Sequence, residues 1–173
     1  MENKTKLRKD LLTFNQCYDS SHEDKALASR GEFLRKFPRR QLNELSLNDY
    51  VVGKNKFSFC NYIEAKTKSW GNIQGSTAYK FGIYYGRTKS DPNKIYRFTK
   101  KYGRNKNEAF YNINNAILTL IKDGRRKDFA RIDANPLAQM IKAKILCLYF
   151  PENYMNICSG DHIELIALES GIK

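Results

Sequence analysis

The 173-residue sequence predicts an α+β fold, with several helices around a small, curved antiparallel sheet. Three observations point there. Apolar residues recur at helical spacing over 107–124 and 135–150, as they do along amphipathic helices. Two short aromatic runs, Tyr79–Tyr85 and Tyr96–Phe98, flank the turn signal Ser90-Asp91-Pro92-Asn93, the pattern of a β-hairpin. Hydrophobic residues make up 41% of the chain, enough for a packed core in one domain.

Residues 1–20 read as a basic N-terminal arm with a helical pattern anchored by Leu7, Leu11, Leu12 and Phe14; residues 21–173 read as a single domain. Ser20 and Ser21, followed by Glu23 and Asp24, supply an N-cap and first-turn acids. The helix they open runs through Phe33 and Leu34 and ends before Pro38. Leu42 to Val51 predicts one or two short helices broken at Ser46 and stopped by Gly53. Phe57–Trp70 fits a helix or an irregular strand, and 71–77 is a loop by composition. In the hairpin Lys80–Tyr85 pairs with Lys94–Lys100, and alternation puts Tyr96 and Phe98 on one face. Asn107 opens a helix that Gly124 ends. Arg125–Ile132 forms a further turn or short helix, and Asn135-Pro136 starts a helix that Pro151 stops. Tyr154–Cys158 is a short strand, and Ser159-Gly160-Asp161 leads into a terminal helix.

The charge narrows the function. The net charge is +13, and the excess is spread through patterned, apolar-containing segments rather than a low-complexity tail. Cys17, Cys60, Cys147 and Cys158 lack CxxC spacing, and His22 and His162 are isolated, which argues against a zinc site or a secreted disulfide framework. Cys60 and Cys147 sit in apolar runs and read as core residues. The N-terminus has no apolar signal region, and the longest apolar run, 145–150, is too short to span a bilayer. The expected location is the cytoplasm, with no cofactor and no metal.

The segment from Tyr79 to Arg104 carries eight Lys or Arg, seven Tyr or Phe and one acid, Asp91. A merely solvated face would carry acids too, so the bias points to a polyanion, above all nucleic acid. Lys80, Arg87, Lys89, Lys94, Arg97, Lys100, Lys101 and Arg104 are the expected phosphate contacts, acting by counterion release and bidentate Arg geometry. Asn72 and Gln74, in the loop before the hairpin, are the expected base-edge contacts. Trp70, Tyr79, Tyr84 and Tyr85 are the aromatic candidates for stacking a base. Residues 71–82 are glycine-rich but lack the order of a phosphate-binding P-loop. Arg39-Arg40 and Arg125-Arg126-Lys127 are further basic clusters.

Two other readings stand beside this one. Glu64, Asp91, Glu108 and Asp133 could serve a small metal-dependent nuclease, although turn duty for Asp91 and helix-start duty for Glu108 explain those two more simply. A basic adaptor meeting an acidic protein partner is the other. No nucleophile–base constellation stands out, and the expectation is a non-catalytic chain.

The order of segments GEFLRKFP, LSLNDYVVG, FSFCNYIEAKTKSWGNIQGSTAYKFGIYY, NKNEAFYNINNAILTLI and KAKILCLYFPENYMNICS resembles the N-terminal domain of McrB-like AAA+ proteins, the motor subunits of modification-dependent or LlaJI-type restriction systems. The resemblance covers roughly residues 30–170. Its most specific parts are the run from Phe59 through Glu64, Gly71, Gly75, Lys80, Phe81 and Gly82 to Tyr84, and the YFPE step at Tyr149–Glu152. It implies a DNA-recognition domain for double-stranded DNA, methylated or otherwise modified, that works with an AAA+ motor domain and a nuclease subunit. Some such domains flip the base they read; others are B3-like or PUA-like barrels, which makes a closed barrel the alternative fold. The chain carries no Walker A motif, so motor and nuclease activities are expected in other domains or subunits.

Overall fold

A computed structural model describes residues 2–155, 157 and 160–171. The α+β expectation holds: among the described residues, helices surround one two-stranded antiparallel sheet, which does not close into a barrel. Helix α1 (Glu2–Cys17) packs against the terminal helix α9 (Gly160–Ser170). Helix α2 (Ser21–Lys36) carries Glu23 and Asp24 in its first turn, as expected, but the cap differs. Ser20 makes no side-chain cap bond; the Asp19 carboxylate instead accepts from the Ser21 amide and hydroxyl, at 2.9 Å each. Those bonds hold the Asp19 carboxyl below the usual carboxylate range.

A 3₁₀ turn at Arg39–Glu44 and helix α3 (Leu47–Tyr50) follow, the latter capped by Ser46. The ambiguous segment 57–70 forms no strand and is mostly helical, in fragments: α4 (Phe59–Asn61), a π turn at Tyr62–Lys66 and a 3₁₀ turn at Lys68–Trp70. Changing hydrogen-bond spacing from piece to piece explains why no single period is visible in the sequence. The segment is fixed by its core residues. Phe33, Phe37, Phe59, Tyr62 and Tyr149 form an aromatic cluster with centroids 5.2–6.4 Å apart in the contacting pairs, joining α2, α4, the π turn and α8 (Gln139–Tyr149).

The predicted first strand begins as a helix. Ser76 caps α5 (Thr77–Phe81) by accepting from the Tyr79 amide, and Gly82 ends it at φ +71°. Strand β1 (Ile83–Gly86) starts only there and pairs with β2 (Ile95–Phe98), with Ile83 opposite Phe98 and Tyr85 opposite Tyr96. The predicted alternation survives, because Ile83, Tyr85, Tyr96 and Phe98 all pack on the core. The Tyr50 hydroxyl donates to the Phe81 carbonyl at 2.9 Å, and the Thr99 amide donates to the Gly82 carbonyl at 2.8 Å.

Helix α6 (Lys106–Arg126) is the long strut, about 31 Å at 1.5 Å per residue. Asn105 caps it, accepting from the Asn107 and Glu108 amides at 3.0 Å. Gly124 does not end it; a Cβ there would lie 2.3 Å from Leu146, so this glycine lets α8 approach closely. The end falls at Lys127, at φ 57°. After α7 (Phe129–Ala134), Asn135 bonds to the Leu137 amide, but helix α8 (Gln139–Tyr149) starts later than the Asn-Pro signal suggests. Asn135 serves tertiary structure instead, donating to the Ala116 carbonyl at 2.9 Å. Tyr154, Met155 and Ile157 are not in a strand; Asn156, Cys158 and Ser159 lie outside the described residues. Cys60 and Cys147 are buried, as expected, and burial pushes the Cys60 thiol up. Among the described residues no helix is long and apolar enough to cross a membrane.

Lys144 is fully buried on α8 and donates to the Thr67 and Gly71 carbonyls at 2.6 and 2.7 Å, closing the loop between the 57–70 segment and α5. Lys144→Met should leave both carbonyls without this charged donor, at a cost of about 2–4 kcal/mol in urea unfolding. Gly82→Ala should cost a similar ~2–4 kcal/mol. Its Cβ would sit 2.5 Å from the Tyr102 ring and 2.9 Å from Ile113, in a left-handed backbone conformation. The change in the urea midpoint at unchanged slope measures both.

Candidate nucleic-acid interface

The hairpin tip is a structured turn. The Asp91 carboxylate accepts from the Asn93 amide at 3.0 Å, the Thr88 hydroxyl accepts from the Asp91 amide at 3.1 Å, and the Thr88 amide donates back to the Asp91 carbonyl. Across the turn Arg97 acts as its lock. Its guanidinium donates to the Asp91 carboxylate at 2.7 Å and the Gly86 carbonyl at 3.0 Å, with longer bonds to the Asp91 and Asn93 carbonyls. The Arg97 bond holds the Asp91 carboxyl below the usual carboxylate range. The one acid of the segment therefore neutralises Arg97, and Arg87, Lys89 and Lys94 are exposed at the tip with no ion pair among the described residues.

Two expected phosphate contacts change role. Lys80 is not on a strand; it sits on α5, 3% exposed, and forms an ion pair with Glu64. Burial and that pair take it out of reach of a phosphate. Arg97, held by three hairpin carbonyls and a carboxylate, has most of its donors occupied. The other six behave as surface charges. Lys100 and Arg104 are exposed; Lys101 is exposed with its ammonium 2.6 Å from the Pro136 carbonyl.

Two cations absent from the sequence-level set replace the two that are lost. Lys54 lies 4.6 Å from the Tyr85 ring centroid, and Lys106 lies 5.1 Å from that of Tyr96. Tyr85 and Tyr96 meet edge-on at 5.1 Å, so the two ammonium groups flank one aromatic pair beside the hairpin. Such cation–π contacts hold the charges in place without neutralising them. Lys54 comes from the turn after α3: the Tyr85 amide donates to the Val52 carbonyl at 3.0 Å, and Gly53 lies so close that a Cβ would reach 1.9 Å from the Tyr85 carbonyl oxygen. Lys106 is the first residue of α6. The only signal in the sequence was the glycine at 53 next to a lysine, and the N-cap at Asn105.

The aromatic candidates do not share a setting. The Trp70 indole N–H donates to the Ala26 carbonyl at 2.5 Å, and Arg30 covers the ring at 5.7 Å, so this side chain anchors the 3₁₀ turn to α2. Tyr85 packs on Tyr96 and the core. Tyr84 is half-buried on the other face of β1, opposite Arg97. Tyr79 is 64% exposed on α5 and is the candidate with an open ring. Asn72 and Gln74 are exposed on either side of buried Ile73, which pins the loop.

The acidic candidates have local partners. Glu64 pairs with Lys80, Asp91 with Arg97, and Glu108 accepts from the Arg104 amide at 2.9 Å. Asp133 lies near the end of α7, where its carbonyl accepts from Lys142. Among the described residues no three His, Cys, Asp or Glu side chains converge as a metal site would require. No family model, curated protein or solved structure shows significant similarity to the chain.

Proposed function

We propose that the chain is a DNA-binding specificity domain of an McrB-like restriction system, modification-dependent or LlaJI-type, with the motor and nuclease activities carried by other domains or subunits. The observation that supports it most is the charge left over on and beside the hairpin. Once the Lys80–Glu64 and Arg97–Asp91 pairs are set aside, Arg87, Lys89, Lys94, Lys100, Lys101 and Arg104 remain, with Lys54 and Lys106 against the tyrosine pair. A rigid two-stranded ribbon with uncompensated cations suits phosphate contacts on a duplex, where each neutralised phosphate releases counterions. Asn72 and Gln74 supply amides that can meet base edges, and Tyr79 supplies an open ring in the neighbouring helix.

Binding to a duplex should weaken steeply with salt. Neutralising Arg87, Lys89 and Lys94 together to Gln should lower affinity equally for all sequences and flatten the log K against log salt slope by roughly 2–3. Fluorescence anisotropy on unmodified, methylated and hydroxymethylated duplexes at two salt concentrations measures this; no binding to any of them at low salt would sink the proposal. In the same panel Asn72→Ala with Gln74→Ala should reduce the preference between duplexes by about 1–3 kcal/mol while leaving the salt slope unchanged.

A further inference from the structure

We infer a second phosphate-binding site, remote from the hairpin, in a groove of about 690 Å³ between the 39–44 turn and the C-terminal half of α6. Five cations line it, Arg39 and Arg40 from the turn and Lys122, Arg125 and Arg126 from the helix, over an apolar floor of Leu118 and Ile121. No carboxylate lines it, and none of the five forms an ion pair among the described residues. In this chain acids do meet cations where the fold needs neutrality, at Glu64, Asp91 and Asp123. The groove is the contrary case.

Part of this charge has an ordinary explanation. Arg125 and Arg126 stand in the last turn of α6, where cations complement the helix dipole. That explanation does not reach Lys122, a turn earlier, or Arg39 and Arg40, which come from a separate element. Those two are brought in by the fold. The Tyr149 hydroxyl donates to the Phe37 carbonyl at 2.7 Å, buried Leu42 pins the turn, and the Arg39 guanidinium stacks over Phe150 at 5.1 Å. Like charges converging on one concavity repel one another unless an anion joins them. Four arginine forks and a lysine on rigid supports suit clustered phosphate oxygens, and the Leu118–Ile121 floor suits an apolar sugar or base edge beside them.

Lys122 to Arg126 lie sixteen to twenty residues along α6 from Lys106 at the hairpin, about 24–30 Å. The groove is therefore a distinct site, and its ligand is a run of phosphates: the backbone of a nucleic acid extending past the hairpin, or a free polyphosphate such as the tail of a nucleoside triphosphate. The nucleic-acid source rests on the DNA-binding reading; the polyphosphate source does not.

The test uses the full chain with Arg40→Gln, Lys122→Gln and Arg125→Gln combined, three exposed side chains whose loss should leave the thermal midpoint unchanged. The hairpin variant Arg87→Gln, Lys89→Gln, Lys94→Gln serves as control. The probes are inorganic tripolyphosphate, by calorimetry, and a 20-bp duplex over a salt series. If the groove binds DNA backbone, the groove variant flattens the salt slope by roughly 2–3, additively with the hairpin variant. If it binds free polyphosphate, tripolyphosphate affinity falls at least tenfold in the groove variant only, with the DNA slope unmoved. A groove variant that matches the unaltered chain on both probes, or an unaltered chain that binds neither, overturns the inference. A hairpin variant without effect would count against the DNA reading of the hairpin and leave the groove result standing.

Discussion

The reversal of the chain at Gly82 is the constraint on which the exposed surface depends. Helix α5, which Ser76 caps, stops there because the backbone turns left-handed at φ +71°. The turn is packed hard: Tyr102 and Ile113 lie where a side chain would be, the Phe81 carbonyl takes the Tyr50 hydroxyl, and the Gly82 carbonyl takes the Thr99 amide. Phe81 and Gly82 together thus tie α3, α5, the hairpin and α6. The strand that leaves it sends Ile83 and Tyr85 to the core and projects the tip into solvent. Lys80, two residues before it on α5, points inward.

That inward turn changes which charges count. Sequence composition treats every lysine and arginine of the segment alike, whereas desolvation does not. A buried ammonium is tolerated only with a carboxylate or several carbonyls around it. Lys80 has Glu64, Lys142 has the Ile132 and Asp133 carbonyls, and Lys144 has those of Thr67 and Gly71. Burial lowers the Lys142 ammonium from its ordinary value, with only the Asp133 charge opposing. These three lysines are therefore structural, as is Arg97 in the hairpin turn. Among the cations that remain, those on the hairpin, Lys54 and Lys106 beside it, and the five of the α6 groove form two local clusters that the net charge of +13 does not convey.

Much of the fold was legible because a local rule and the tertiary structure agreed. Helix α6 follows from Phe110, Ile113, Ile117 and Leu120 at helical spacing, and its cap lies at Asn105, two residues before the expected opening at Asn107. Errors arose where a residue serves a long-range contact that resembles a local signal. Gly124 reads as a helix end but exists to admit Leu146; Asn135 reads as a helix cap but holds Ala116. Residues 57–70 read ambiguously because three helical pitches succeed one another, and only burial of Phe59, Tyr62 and Ile63 fixes them. At the candidate interface the tip cations were legible, since turn residues flanked by charge are exposed on any hairpin. Lys54 and Lys106 were not, because both reach the tyrosine pair from other elements.

Helix α6 turns these separate features into one geometric statement. Its first residue supplies the ammonium beside Tyr96, its middle supplies the core apolar stripe, and its last two turns supply three groove cations. A helix of 21 residues, packed along its length against α7, α8 and the hairpin, does not bend enough to change the separation of its ends by much. The distance between the two basic surfaces is thus set by the core. On the proposed reading, a polyanion that spans both meets charges already in place, and little side-chain or loop ordering is lost on binding. A flexible basic tail of equal charge would bind the same phosphates with no fixed spacing. The rigid strut is what allows the position of one contact to constrain the position of the other, and hence what a domain that selects a site would require.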